Sequence, residues 1–345
     1  MIRISACLIV KNEEAVLARC LDSIKDLVDE IVIADTGSTD KTKEIAANYT
    51  EKVYDFTWVD DFAAARNFVF SKAEMEYIYS VDADEVLDDV NRKRFLMLKK
   101  TLLPEIDIVQ MYYKNQLEHN TTYNFDRELR PKLFKRLRTF QWQDSVHESV
   151  RLEPVIYDSE IEICHMPENN HAERDFGTIL RAYERDGYLS AKLWHMYARE
   201  LFIAGKKQDF IQAYPKFEKR FNQEILPEQA IRETLCVLVQ AAFYKKDWHA
   251  MFTHALKNVA LGKPSAEVCC ILGDYYKQRK EYAEARLWYY NAILEAETEC
   301  NVHYGGDYAM ERLAYCLKQE GKPEEAAEME EMAKNWKPEN EEKTW

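Results

Sequence analysis

The sequence predicts an α/β domain with a doubly wound, mostly parallel sheet, followed by an all-α domain built from helical repeats. In the first half, short apolar runs alternate with helical patterns, and the expected strands are Ile4–Val10, Glu30–Asp35, residues 52–56 and Tyr77–Val81. This alternation is typical of right-handed parallel crossovers. From about residue 172 onward the pattern is helical almost to the end.

Local patterns support each element of the first half. Residues 4–10 form an almost continuous apolar run, which is typical of a strand buried on both faces. Asn12 is expected to cap the helix that follows, and residues 62–73 are expected to form a later helix because alanines favour it. After residue 103, further strands are expected at residues 107–113, 132–135 and 159–164, which extend the sheet.

A repeat is visible in the second half. Trp248 and Tyr282 stand one 34-residue step apart, and Leu272-Gly273 recurs as Leu313-Ala314 after an insertion around residues 301–306. This order of small and aromatic residues fits the tetratricopeptide pattern, with an ordinary helical bundle as the alternative. The expected domains are residues 1–170 (α/β) and 171–337 (helical repeats), with a tail at residues 338–345.

Composition narrows the class of protein. The 345-residue chain is 47% hydrophobic and 31% charged, with a net charge of −14, which argues against a nucleic-acid binder. No apolar run is long enough for a membrane span, and the start of the chain leaves no room for a signal peptide. The eight cysteines form no CxxC pair. A reduced, cytoplasmic protein without a disulfide framework or a zinc knuckle is therefore expected.

The strongest chemical signal is Val81-Asp82-Ala83-Asp84-Glu85, at the end of the fourth expected strand. Two carboxylates at i and i+2 can reach one hard cation, and Mg²⁺ or Mn²⁺ takes such carboxylates together with phosphate oxygens. A DxD is common by chance, but this one ends a strand of a parallel sheet, where such sheets bind their ligands. The sequence therefore predicts a site for Mn²⁺ or Mg²⁺ at this edge.

Two further motifs stand near the ends of neighbouring elements. Asp35 ends the second strand, where its carboxylate can accept from a nucleobase N–H or a ribose hydroxyl, whereas the residues after it also fit plain turn and cap chemistry. Arg66 lies in the motif of residues 60–67, where its guanidinium group can donate two hydrogen bonds to a phosphate or hold the metal-binding carboxylates. An exposed helix face is the alternative for Arg66.

Four motifs in this order resemble those of family 2 glycosyltransferases with the GT-A fold, a Rossmann-like domain. They are residues 6–14 (ACLIVKNEE), 29–40 (DEIVIADTGSTD), 61–67 (DFAAARN) and 81–85 (VDADE). The closer resemblance is to the branch that carries C-terminal tetratricopeptide repeats, which includes S-glycosyltransferases of small secreted peptides. Lipopolysaccharide-core glucosyltransferases share the same first part.

The resemblance implies a role for each motif. Asp35 would contact the base or ribose, Arg66 would lie near the diphosphate, and Asp84 would be the direct metal ligand with Asp82 beside it. His165, at the end of a strand-like run, is the candidate third ligand, with a structural histidine as the alternative. The full set expected to bind the nucleotide sugar is Val10, Lys11, Asn12, Glu13, Asp35, Arg66, Asp82 and Ala83, and the expected metal ligands are Asp82, Asp84 and His165.

The implied reaction is an inverting, metal-assisted single displacement from a nucleotide diphosphate sugar, expected to be a UDP-hexose. The Glu-Asp pair of many relatives is not evident, and His147-Glu148 stands in its place, so Glu148 is the candidate base, with a structural ion pair as the alternative. The expected partners are the donor and an acceptor peptide or glycan held by the helical repeats, and a homo-oligomer remains an option.

Two other functions fit parts of the sequence. The first is a non-catalytic scaffold that keeps a degenerate transferase domain and recruits a partner through its repeats, although the intact DxD, Asp35 and Arg66 argue against it. The second is a nucleotidyltransferase, which would normally show a glycine-rich phosphate loop after the first strand. That place is taken by Lys11-Asn12-Glu13-Glu14, which contains no glycine.

Overall fold

The computed structural model describes residues 1–114, 127–136, 142–143, 149–150, 154–166 and 172–338. The chain divides into two compact units, one built on Met1–Tyr188 and the other on Leu189–Glu339. This division follows Tyr188, one helix later than the boundary expected after residue 170. The candidate base Glu148 and its neighbour His147 lie outside the described residues.

The first unit contains a sheet flanked by helices. Its elements are, in chain order, β1 (Ile4–Val10), α1 (Leu17–Ile24), β2 (Glu30–Asp35), α2 (Thr42–Ala47), β3 (Val53–Asp55), α3 (Phe62–Ser71), β4 (Tyr77–Val81), β5 (Glu85–Val86), α4 (Asp89–Thr101), β6 (Ile108–Lys114), β7 (Glu128–Lys135), β8 (Trp142–Gln143), β9 (Ser149–Val150), β10 (Ile156–His165) and α5 (Ala172–Asp186).

Eight strands form one sheet in the order β3-β2-β1-β4-β7-β6-β10-β5. Strands β3, β2, β1 and β4 are parallel, β7 is antiparallel to both β4 and β6, and β10 is parallel to β6. Strand β5 pairs antiparallel with the end of β10. The predicted fold class, a mostly parallel α/β sheet domain followed by a helical region, is confirmed.

The register brings three strand ends to the same edge of the sheet. Val10 is opposite Asp35, and Leu8 is opposite Val81, so β1, β2 and β4 finish side by side. Apolar residues of β1 alternate between two buried clusters, one packed against α1 and the other against α3. Because both faces are covered, ligands can approach these strands only at their ends.

One expectation for the first unit needs correction, and one helix of this unit was missed. Asn12 does not cap a helix, because α1 begins at Leu17 and the Asn12 side chain accepts a hydrogen bond from the Thr39 backbone instead. Helix α4 was not predicted from the sequence. It lies against β10, where the Asn91 amide oxygen accepts from the Glu162 backbone N–H at 2.9 Å.

The second unit is helical. Its elements are α6 (Ala191–Ala204), α7 (Lys207–Gln223), α8 (Glu228–Lys245), α9 (Trp248–Val259), α10 (Ala266–Gln278), α11 (Tyr282–Leu294), the 3₁₀ helix η1 (Val302–Gly305), α12 (Asp307–Gln319) and α13 (Pro323–Asn335). Several consecutive helices pack against each other, as in α10 with α11 and α12 with α13. Gly273 permits one such approach, because a Cβ there would lie 2.5 Å from the Tyr289 ring. The expected glycine of the repeat pattern is thus needed for packing.

The insertion before α12 packs inside the second unit. The buried Glu267 carboxylate of α10 accepts from the backbone N–H groups of Cys300 and Asn301 at 2.7 and 2.9 Å. The Asn301 side chain donates to the Phe202 carbonyl, and the Tyr304 ring lies 5.4 Å from the Phe202 ring. Residues 299–304 therefore cover the surface of α10 that carries Glu267.

Candidate active site

The loops that follow β1 and β2 are tied to each other. The backbone N–H of Asn12 donates to Ser38 Oγ at 2.9 Å, and that of Glu13 donates to Thr42 Oγ1 at 2.7 Å. Asn12 has a φ of 56° and Gly37 a φ of 105°, so both loops turn sharply away from the sheet. Lys11 and Asn12 remain exposed, which leaves them accessible beside the strand ends.

Asp35 is buried at the end of β2, with only 1% of its surface exposed. Its Oδ1 accepts from the backbone N–H groups of Gly37 and Ser38, at 3.0 and 2.9 Å, which fixes the turn. Its Oδ2 is buried and has no hydrogen-bond partner among the described residues. Since buried carboxylate oxygens are normally satisfied, this atom fits a donor group supplied by a ligand.

Asp84 and His165 meet at the same edge. Strand β10 pairs with β5 so that His165 is opposite Glu85, and His165 Nε2 lies 2.9 Å from Asp84 Oδ2. The backbone N–H of Met166 donates to the Asp84 carbonyl, which fixes the crossing of the two segments. The Tyr113 ring lies 4.8 Å from the imidazole ring and holds its orientation. An oxygen and a nitrogen donor therefore converge at one point.

The Asp82 side chain contacts Arg66 and does not contact His165. The guanidinium group of Arg66 donates to Asp82 Oδ1 at 3.3 and 3.4 Å and to Ser80 Oγ at 2.8 Å. Arg66 is buried against the Trp142 ring, 4.8 Å from the ring centroid, so the alternative of an exposed helix face is excluded. Asp61 caps α3 by accepting from the Ala64 backbone, and this start sets the inward direction of Arg66.

Lys132, which belongs to β7, lies beside the segment Asp82–Glu85. It is 4% exposed, its ammonium group donates to Glu85 Oε1, and its Nζ lies 3.7 Å from Asp82 Oδ2. Burial raises the pKa of Glu85 to about 8, against the opposing effect of Lys132. Burial would also raise the pKa of Asp82, but Lys132 and Arg66 together lower it well below its usual range.

A divalent cation fits this donor set. Asp84 and His165 supply one oxygen and one nitrogen within 2.9 Å of each other. In the described part of the chain, no group of three or more His, Cys, Asp or Glu side chains could hold a metal ion. Mg²⁺ is usually held by one or two carboxylates and completed by substrate phosphates and water, so a pair of donors at this edge is compatible with such a cation.

The structure brings together several residues expected from the sequence and adds others. Asp84 and His165 are adjacent, and Arg66 contacts Asp82, whereas Asp82 does not join the Asp84–His165 pair. The side chains that sequence reasoning missed are Ser80, Tyr113, Lys132 and the ring of Trp142. Lys132 gave no signal in the sequence, because it opens the strand expected at residues 132–135, where an exposed lysine would fit equally well.

Comparisons with known proteins agree with the sequence motifs. The sequence model of Glycosyl transferase family 2 matches residues 5–151. A TPR repeat-containing protein of Synechococcus elongatus is 46% identical over 87 residues, which are 25% of this chain and 22% of that protein. An uncharacterized glycosyltransferase of Rickettsia felis is 39% identical over 87 residues, which are 25% of this chain and 30% of that protein.

The glycosyltransferase SunS, from an SPbeta prophage of Bacillus subtilis, is 33% identical over 101 residues, which are 29% of this chain and 24% of that protein. The matches thus span less than a third of the length of each of these three relatives.

Solved structures show a more distant likeness. Glucosyl-3-phosphoglycerate synthase from Mycobacterium tuberculosis, crystallised with Mn²⁺ and UDP-glucose, is 14% identical with a TM-score of 0.38, covering 55% of this chain and 81% of that one. S. aureus TarS is 13% identical with a TM-score of 0.41, covering 74% of this chain and 55% of that one.

None of the helices in the described residues is long and apolar enough to cross a membrane.

The family expected from the four motifs is confirmed by the match to the family's sequence model. Residues 5–151 match the model of Glycosyl transferase family 2, which identifies this part of the chain as a domain of the glycosyltransferase type.

Proposed function

We propose that the chain transfers a hexose from a UDP-hexose donor to an acceptor, with inversion at the anomeric carbon and with Mn²⁺ or Mg²⁺ as cofactor. The observation that carries the proposal is the pair formed by Asp84 and His165 at 2.9 Å, at the edge where the parallel strands of a family 2 domain end. The family membership supports sugar transfer, and the donor set supports the cation.

Donor binding is assigned to the loops after β1 and β2. Asp35 Oδ2, which is buried without a partner among the described residues, would accept a hydrogen bond from the uracil or the ribose. Val10, Lys11, Asn12 and Glu13 would form the edge of the same pocket, and Ala83 would also contact the nucleotide sugar. A ligand hydrogen bond at Asp35 would offset the cost of burying an unsatisfied carboxylate oxygen.

The diphosphate end of the donor is assigned to the DxD segment. Asp84 and His165 would hold the cation, with Asp82 beside them, and a bound cation would neutralise the charge that develops on the diphosphate leaving group. Arg66 keeps Asp82 in place through its two contacts and lowers the pKa of that carboxyl, so Asp82 stays ionised.

Glu148 is the proposed base. Its carboxylate would take the proton from the acceptor hydroxyl or thiol while the acceptor atom forms its bond to the anomeric carbon and the bond to UDP breaks. Glu148 follows Trp142 by six positions, and the Trp142 backbone is held by the Asn67 side chain through hydrogen bonds of 2.9 and 3.1 Å.

The acceptor is proposed to be a peptide side chain or a glycan that contacts the helical unit. Residues 299–304 cover the surface of α10 that carries Glu267, so acceptor contacts are assigned to other surfaces of this unit. One such surface carries Tyr315, which is 47% exposed and contacts Tyr282 with a centroid distance of 6.2 Å.

A hydrolysis screen tests the proposed function. The purified chain is incubated with a panel of nucleotide sugars and Mn²⁺, and the released nucleotide is quantified, with EDTA as the control. Slow release from one UDP-hexose, lost in EDTA, supports the proposal and identifies the sugar. Absence of UDP binding in calorimetry, together with no release from any donor, would leave the scaffold alternative.

A further inference from the structure

The segment Asp82–Glu85 places three carboxylates within four residues, and the structure divides them between two sides. Asp84 is directed at His165, with Oδ2 2.9 Å from Nε2. Asp82 and Glu85 are directed instead at Lys132, which contacts Glu85 Oε1 and lies 3.7 Å from Asp82 Oδ2. Lys132 comes from β7, so pairing of β7 with β4 is what brings it here.

We propose that Lys132 is a positioning residue of the donor site, which holds the carboxylates of Asp82 and Glu85 away from the cation so that Asp84 and His165 alone face it. The proposal rests on the proposed function, because it concerns the same cation and the same donor.

Burial excludes a more direct role for Lys132. Its side chain is 6% exposed and its ammonium group is taken up by the two carboxylates, so it acts through them rather than on the donor's phosphates. Arg66 does not take the same place, since its described hydrogen bonds go to Asp82 Oδ1 and Ser80 Oγ rather than to Glu85. Glu85 is 1% exposed, and its Oε2 has no partner among the described residues.

Removing the Lys132 side chain would change how the carboxyl groups of Asp82 and Glu85 are held. Glu85 would then lose the ammonium group that it contacts, and Asp82 would lose the positive charge that lies 3.7 Å from its Oδ2, so neither carboxyl group would be fixed in its present direction. Side chains that surround a metal site without touching the metal typically change metal affinity by about 10- to 100-fold when they are removed. The expected effect is therefore on cation-dependent nucleotide binding.

The test compares variants by calorimetric titration with UDP, in Mn²⁺ and in EDTA, alongside circular dichroism and thermal unfolding. Lys132→Met should weaken Mn²⁺-dependent UDP binding by about 10-fold or more, and Lys132→Arg should recover most of it. Lys99→Met is the control, because Lys99 is also buried and paired with a carboxylate, Asp29, but lies on α4. It should leave UDP affinity unchanged.

A double variant separates positioning from simple charge neutralisation. Lys132→Met alone leaves the Glu85 carboxyl group buried without the ammonium group that it contacts, which destabilises the fold. Lys132→Met with Glu85→Gln replaces that carboxyl group by an amide of similar shape, so the melting temperature should recover while UDP affinity in Mn²⁺ stays at least about fivefold weaker than wild type. A folded double variant with wild-type affinity would show that Lys132 only neutralises a buried acid.

The outcomes also distinguish this inference from the proposed function. If the wild-type chain shows no Mn²⁺-dependent UDP binding, the proposed function fails. If the wild-type chain binds and the folded Lys132→Met variant binds equally well, the positioning role is wrong and the proposed function stands.

Discussion

Replacing Asp35 by asparagine tests the nucleotide pocket with little damage to the fold. The amide oxygen of asparagine can still accept from the Gly37 and Ser38 backbones, which Asp35 Oδ1 does at 3.0 and 2.9 Å. Only the second oxygen, Oδ2, changes, and it becomes an N–H₂ donor. Because Oδ2 has no partner among the described residues, the turn should keep its bonds.

The expected loss of affinity follows from the hydrogen bond that Oδ2 is proposed to accept. A hydrogen bond to a charged group contributes about 1.5–3 kcal/mol, and Asp35 is 1% exposed, so water does not readily replace the ligand there. At about 1.4 kcal/mol per tenfold change, Asp35→Asn should weaken UDP binding by roughly 10- to 100-fold.

Calorimetric titration with UDP and Mn²⁺ measures this effect, and thermal unfolding checks the fold. Asp55→Asn is a matched control, since Asp55 is opposite Asp35 on the neighbouring strand but its side chain is 77% exposed. It should bind UDP as the wild type does. An Asp35→Asn variant with wild-type affinity would refute the pocket assignment and reduce Asp35 to a turn residue.

Three further changes have defined outcomes. Asp84→Ala should remove Mn²⁺-dependent donor hydrolysis in a chain that stays folded, and full turnover by this variant or in EDTA would contradict the cation site. Glu148→Gln should keep UDP affinity and slow transfer by roughly 10²–10⁴, and normal transfer would redirect the search for the base to Asp144 or His147. Burial raises the pKa of Glu267 to about 7, although backbone N–H groups favour its charged form. Since the pKa of Glu267 in the folded protein lies above the usual glutamate value of 4.5, the wild type should lose stability as pH rises from about 4.5 to 7, relative to Glu267→Gln. Parallel unfolding curves for the two proteins across this range would show that Glu267 does not titrate there.

Much of the sheet could be predicted because its strands are buried apolar runs. Strands β1, β2 and β4 were predicted at the bounds that the structure has. Helix α4 was missed because five of its thirteen residues are basic, which hides the apolar period. The buried Lys99 is paired with Asp29, a contact that a local pattern does not reveal.

In the candidate site, a local sequence motif could be predicted, whereas contacts between residues far apart in the chain could not. The DxD and its strand end are local, so the sequence indicated a cation site there. The partners of each carboxylate come from elsewhere, since His165 arrives on β10 and Lys132 on β7. Strand pairing between residues far apart in the chain decides those contacts, and the sequence alone does not specify which strand lies beside which.

The configuration of the first released sugar tests the central claim most directly. The wild-type chain is incubated with Mn²⁺ and the UDP-α-hexose selected by the hydrolysis screen, and the anomeric protons are followed by NMR before mutarotation. A single displacement at the anomeric carbon predicts that the β-hexose appears first, with equimolar UDP. Initial release of the α-hexose would contradict the inverting displacement, and no release from any UDP-hexose would contradict the assignment as a UDP-sugar transferase.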